Sequence, residues 1–206
     1  MPAPPDLPIA AITFDLGNVL VAVDHFRFCR PVAALAGLTP AEVYAAVFES
    51  SLEPGYDTGR LSSAEFYQRL MGRFRLNIPY PPFCDLWNDI FTPLEDMDRT
   101  VARLAGRYPL YLLSNTNPLH FQYIKDHYPL LRHFRRFILS YEVASRKPEA
   151  GIFQALIREL GLPPARCLYL DDKLPFVAAA RTHGLVAWHF TTPRDFKEHL
   201  SREGLW

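Results

Sequence analysis

Ile9-Ala10-Ala11-Ile12-Thr13-Phe14-Asp15-Leu16-Gly17-Asn18-Val19-Leu20 joins an almost unbroken apolar run to an acidic turn. An apolar run without polar alternation predicts a strand covered on both faces, as in a parallel sheet. Four more such runs follow at residues 110–113, 137–139, 167–170 and 185–190. Segments with helical periodicity, residues 118–127, 148–160, 174–183 and 193–201, lie between or after them. This alternation predicts an α/β fold, a Rossmann-like parallel sheet flanked by helices.

Residues 22–92 interrupt the pattern, with no strand-like run and good helix starts. Thr39-Pro40-Ala41-Glu42, Ser62-Ser63-Ala64-Glu65 and Thr92-Pro93-Leu94-Glu95 each place a hydroxyl three residues before a Glu, and two add Pro at the first helical position. The pattern predicts an all-helical cap over 22–92, inserted after the first strand of a core made of 9–21 and 93–206. A third capped helix, 93–105, leads back to the sheet, and residues 1–8 form a Pro-rich tail. The aromatic residues of the cap (among them Phe28, Phe66 and Trp87) read as its bundle core, with Tyr56 or Arg60 facing the substrate. His120 and His127 read as a surface stripe.

Composition sets limits. Across 206 residues, 22 Lys+Arg balance 22 Asp+Glu, and 49% of residues are hydrophobic. That excludes wholesale disorder and a general polyanion-binding strategy, so no nucleic-acid or membrane partner is expected. Arg132-His133-Phe134-Arg135-Arg136 is too short a basic run for a nucleic-acid groove. Cys29, Cys84 and Cys167 are far apart and form no C-x-x-C, and the seven His residues show no HExxH, so neither disulfide nor zinc site follows. No G-x-G-x-x-G and no P-loop occurs. A cytoplasmic protein is expected, with monomer and homodimer both open.

The polar residues cluster where strands end. Asp15-Leu16-Gly17-Asn18 follows the first strand, Ser114-Asn115-Thr116-Asn117 the second, Ser145-Arg146-Lys147-Pro148 the third and Asp171-Asp172-Lys173 the fourth. Ligands of open α/β sheets bind outside the carboxyl ends of the strands. A hydroxyl with amides, an ammonium and several carboxylates meeting there suit a phosphoryl group and Mg²⁺. Each motif alone has an ordinary reading as a turn or helix cap. Their shared topological position is what singles them out.

These residues resemble the four motifs of the haloacid dehalogenase-like (HAD) superfamily, of the branch with a helical C1 cap. Phe14 to Leu20 and Leu113 to Asn117 are similar to bacterial sugar-phosphate phosphatases acting on glucose 1-phosphate. The resemblance implies a phosphatase in which Asp15 is the nucleophile and forms an aspartyl-phosphate. Mg²⁺ would be held by Asp15, the Gly17 carbonyl and Asp172, with Asp171 supporting it directly or through water. Asn18, Ser114 and the Asn115 backbone would contact substrate, a small phosphorylated metabolite, and Lys147 would steady the charge. Two positions depart from the family pattern. Gly17 replaces the usual acid/base Asp, leaving that role to Asp24 or Asp57, although Asp24 also reads as a cap of the first cap helix. Phe176 replaces a polar residue that supports the metal. The alternatives are a 2-haloacid dehalogenase using the same Asp15, or a catalytically weak binding or regulatory protein of the same fold.

Overall fold

The computed structural model describes residues 8–206; the N-terminal tail assigned to 1–8 therefore lies, except for Pro8, outside the described residues. β1 (Ala11–Phe14) is buried throughout. A short return strand, β2 (Val21–Val23), leads into five helices: α1 (Phe26–Ala36), α2 (Pro40–Phe48), α3 (Leu52–Asp57), α4 (Ser63–Phe74) and α5 (Tyr80–Asn88). β3 (Phe91–Pro93) then pairs antiparallel with β2. The chain continues through α6 (Met97–Ala105), β4 (Leu110–Ser114), α7 (Pro118–His127), β5 (Phe134–Leu139) and α8 (Ser140–Val143). It ends with α9 (Ala150–Leu160), β6 (Cys167–Asp171), α10 (Leu174–Thr182), β7 (Val186–His189) and α11 (Pro193–Arg202).

The five core strands form one parallel sheet in the order β5-β4-β1-β6-β7. The α/β expectation is met. Side chains alternate between two apolar layers, as strand geometry requires. Ile12, Phe14, Leu110, Leu112, Leu168 and Leu170 pack with α6, α7 and α11. Ala11, Tyr111, Leu113, Cys167 and Tyr169 pack with α9 and α10. The helices between β2 and β3 bury a third cluster around Phe28, Phe66, Phe83 and Trp87. Two of the expected capping boxes form. Thr39 and Ser62 accept from the backbone N–H of Glu42 and Glu65, whose carboxylates accept from the Thr39 and Ser62 N–H groups.

Two expectations need correction. Residues 22–92 are not strand-free, because β2 and β3 form a two-stranded ribbon where the helical segment leaves and rejoins the sheet. Thr92 caps no helix: it pairs with Ala22, and α6 begins at Met97 instead of residue 93. Backbone pairing with β2 takes the groups that a helix start would have used.

Because β1 is central, its tip is flanked directly by those of β4 and β6. Phe14, the last residue of β1, is fully buried and meets Phe134 and Phe196 edge-on at 5.8 and 5.9 Å. Phe14→Ala is expected to cost about 3–5 kcal/mol in urea unfolding. A loss below about 1 kcal/mol would contradict this packing.

Candidate active site

Asp15 is the first residue past β1. Its N–H donates to the Leu170 carbonyl at 2.9 Å, which ties the tip of β1 to β6. The chain then reverses tightly: Leu20 and Val21 donate to the Leu16 carbonyl, and Asn18 donates to the Val21 carbonyl at 2.6 Å. Asn18 takes a left-handed φ of 56°, a conformation that Asn tolerates better than most residues. Its side chain accepts from Val23 N–H at 3.1 Å and donates to Asp172 Oδ2 at 3.3 Å. Asn18 thus orients a carboxylate as well as lining the cavity. A Cβ placed on Gly17 would lie 3.1 Å from Val23 Cγ2, a tight approach that the Val23 side chain would have to yield a few tenths of an ångström to admit.

Lys147 joins the motifs. Its Nζ lies 2.7 Å from Asp15 Oδ1 and 2.7 Å from Asp171 Oδ2, and its side chain is 1% exposed. Asn115 holds the Lys147 backbone on both sides, accepting from its N–H at 2.7 Å and donating to its carbonyl at 3.0 Å. The ammonium also lies near the rings of Tyr169 and Phe176, at 5.8 and 5.2 Å from their centroids. At position 176 an aromatic face therefore packs against Lys147 where a polar group was expected to support a metal.

The adjacent carboxylates are not equivalent. Asp171 Oδ2 accepts from Lys147 and from the Tyr169 hydroxyl, and Oδ1 accepts from Lys173 N–H at 2.8 Å. Both of its oxygens are engaged, which makes it a positioning residue for Lys147. Asp172 Oδ2 accepts only from Asn18, and Asp172 Oδ1 is buried without a partner among the described residues. A buried orphan acceptor is costly unless something fills the gap. Asp15, Asp171 and Asp172 each offer an oxygen, all within 4.8 Å of one another. Three carboxylates against one ammonium leave a double negative charge. Hard oxygen donors with that charge fit Mg²⁺, which Asp15, Asp171 and Asp172 could hold between them.

The charges respond to this setting. Burial pushes the Asp15 carboxyl up to about 7; Lys147 opposes the rise and Asp171 adds to it. Burial disfavours the Lys147 ammonium, but Asp15 and Asp171 outweigh that and hold its pKa above the usual range. Burial, with Asp171 nearby, also raises Asp172, against the hydrogen bond from Asn18.

Ser114 is buried at the end of β4 and, with Asn115, Thr116 and Asn117, lines the same cavity of about 280 Å³. The structure thus brings together Asp15, Gly17, Asn18, Ser114, Asn115, Lys147 and Asp172, with Asp171 behind them. Ser140, not singled out in the sequence, accepts from Thr116 N–H and donates to the Thr116 carbonyl, both at 3.0 Å, and so pins the loop.

The opposite wall comes from the helical segment, through His25, Tyr44, Phe48, Glu53 and Asp57, with Arg146 and Lys173 on the core side. Glu53 and Asp57 stand four residues apart, so α3 presents them on one face. That spacing was the signal available in the sequence for Glu53. Tyr56 and Arg60 do not face the cavity: the Tyr56 hydroxyl meets Ser63 Oγ at 2.7 Å in the bundle core, and Arg60 donates to Thr58 Oγ1. Asp24 accepts from Phe26 N–H at 2.9 Å just ahead of α1, whose N-cap position is His25. His120 is no surface residue. It is buried and stacked on Trp87 at 4.6 Å, with Nε2 donating to the Trp87 carbonyl.

A raised carboxyl pKa has a consequence for stability. In the metal-free folded state Asp15 keeps its proton up to about pH 7, while in the unfolded chain it ionises near 3.8. Its contribution is therefore full below about pH 4 and is lost as pH rises through about 7. In chelator, the stability of wild type relative to Asp15→Asn is expected to fall between pH 5 and pH 8, as read from urea midpoints. An unchanged difference would contradict the assignment.

Comparison with known proteins gives a family match, to haloacid dehalogenase-like hydrolases, over residues 9–184. The chain is 24% identical over 202 residues to the D-ribitol-5-phosphate phosphatase of Bacteroides thetaiotaomicron, covering 94% of this chain and 97% of the relative. A HAD family enzyme from the same organism, solved with magnesium and inorganic phosphate, superposes with a TM-score of 0.81 at 22% identity, covering 93% and 98% of the two chains. A predicted HAD-like family hydrolase from Porphyromonas gingivalis gives a TM-score of 0.82 at 25% identity, covering 95% and 98%. With its motifs converging at one sheet edge and the family match running from β1 through the helical segment to α10, the chain belongs to the haloacid dehalogenase-like hydrolases.

Proposed function

We propose that the chain is a Mg²⁺-dependent phosphatase that cleaves a small phosphomonoester, of the sugar or polyol phosphate class, through an aspartyl-phosphate on Asp15. The observation that carries the reading is the Lys147 ammonium held 2.7 Å from both Asp15 and Asp171, beside an Asp172 oxygen that lacks a partner. Nucleophile, fixed cation and metal ligand share one cavity.

Asp15 attacks phosphorus with one carboxylate oxygen. Ser114 and the loop amides after β4 hold the phosphoryl oxygens, and Lys147 neutralises charge on nucleophile and phosphate together. When bound, Mg²⁺ offsets the negative charge that would otherwise keep a phosphate from a carboxylate. Water then attacks the aspartyl-phosphate and restores Asp15.

Two observations support the substrate class. The curated relative acts on D-ribitol 5-phosphate, a polyol ester. The cavity that holds Asp15 is also lined by Glu53, Asp57, Arg146 and Lys173, which can donate to and accept from hydroxyl groups. Glucose 1-phosphate falls in the same class and is the other substrate to test. A dehalogenase gains nothing from an unpartnered Asp172 oxygen beside a second carboxylate. A merely binding protein gains nothing from a nucleophile held by a buried ammonium.

Hydrolysis of nitrophenyl phosphate is expected to require Mg²⁺, to stop in chelator and to fall at least about 10³-fold in Asp15→Asn. Asp172→Asn is expected to raise the Mg²⁺ concentration needed for half-activation. Turnover that survives both chelator and Asp15→Asn would overturn the reading.

A further inference from the structure

The usual position of a proton donor in this reaction, two residues after the nucleophile, is Gly17, and Val23 crowds even a Cβ there. In phosphoryl transfer the attacking and leaving oxygens lie roughly in line, so the leaving oxygen stands across the phosphoryl group from Asp15. The helices between β2 and β3 contribute Tyr44, Phe48, Glu53 and Asp57 to the lining of the cavity that holds Asp15.

Of these, Asp57 is 4% exposed and lines the cavity. Asn117, from the loop that carries Ser114, donates through Nδ2 to Asp57 Oδ1 at 3.3 Å. The Asn117 amide cannot turn over. Its Oδ1 accepts from His120 N–H and from the Trp87 indole, and its Nδ2 also donates to His120 Nδ1 at 3.0 Å. Asp57 Oδ1 is therefore the accepting oxygen, while Oδ2 has no partner among the described residues. When protonated, a carboxyl clamped this way carries its proton on Oδ2.

Building on the phosphatase reading above, we infer that Asp57 is the general acid and base that Gly17 cannot be. As Asp15 bonds to phosphorus, the bond from phosphorus to the ester oxygen breaks and its electron pair stays with that oxygen. The Asp57 Oδ2 proton passes to it, and a neutral alcohol leaves. The Asp57 carboxylate next takes a proton from the water that attacks the aspartyl-phosphate, the bond from Asp15 to phosphorus breaks, and inorganic phosphate and both carboxyl groups return to their starting states. Burial raises the Asp57 carboxyl to about 6, against Arg146, the Asn117 hydrogen bond and Lys173. The groups facing it are Glu53 from α3, Arg146 before α9, Lys173 before α10, and the neutral Asn117 and His120 of the loop after β4 and the start of α7.

The test is a leaving-group series, from nitrophenyl to primary alkyl phosphates, with wild type, Asp57→Asn, Asp57→Glu and Glu53→Gln. Asp57→Asn is expected to lose about 10²–10⁴-fold in kcat/KM on alkyl esters and little on nitrophenyl phosphate, whose leaving group needs no proton. With nitrophenyl phosphate it should show a burst and accumulate phosphoenzyme, because the second step lacks its base. The burst also counts folded enzyme. Asp57→Glu should recover part of the alkyl activity, and Glu53→Gln, whatever it costs in KM, should show no loss confined to alkyl esters. Equal losses across the series, or the alkyl-specific loss appearing in Glu53→Gln instead, would overturn the inference. Should Asp57→Asn not fold, the wild-type profile decides: kcat/KM falls on the alkaline side for alkyl esters only, and an identical profile for both ester types would refute the role. Wild type inactive on every ester would instead sink the phosphatase reading itself.

Discussion

Lys147 is a buried cation, and the candidate site is organised by that fact. Its Nζ lies 2.7 Å from one carboxylate on β1's tip and 2.7 Å from another on β6's tip, while its backbone is held by Asn115 beyond β4. A buried ammonium is tolerated only when paired and hydrogen-bonded, and breaking such a pair leaves an uncompensated charge. Sequence-distant segments are thereby locked to one another through charge. Both Asp171 oxygens accept hydrogen bonds there, while Asp172 keeps one oxygen without a partner among the described residues.

The sheet makes the pairing reachable. With β1 between β4 and β6, three carboxyl-terminal tips stand side by side, and parallel strands place all of them at one edge. The β2–β3 ribbon then carries the helical segment out and back beside that edge. As a result α3 contributes Glu53 and Asp57 to a cavity whose other wall is Asp15, Ser114 and Lys147. Asp15 and Asp57 thus reach one cavity from the sheet and from the helical segment. Any movement of the helical segment relative to the sheet therefore changes the distance between them.

Much of this was legible in the chain. The core strands announce themselves because both faces are covered, so apolar residues run on without alternation. β5 is the partial exception, starting three residues before its apolar run, because at the sheet edge Arg135 and Arg136 are exposed. Asp15, Lys147 and the Asp171–Asp172 pair could be read from their common place after strands. What escaped depends on contacts between distant segments. Three-residue strands such as β2 and β3 carry no periodicity, and their pairing overrode the helix-start signal at Thr92. His120 reads as a surface residue until Trp87 closes over it. The different duties of Asp171 and Asp172 follow from Tyr169, Lys173 and Asn18, none of which marks one carboxylate over its neighbour in the sequence.

The chemistry proposed for Asp15 is open to direct observation. Enzyme mixed with ³²P-labelled substrate and Mg²⁺, quenched in acid within a turnover and digested, should yield one labelled peptide. The account places that label on Asp15, on a bond stable in acid and released by hydroxylamine. No covalent label under conditions where wild type turns over, or a label on any other residue, would contradict it.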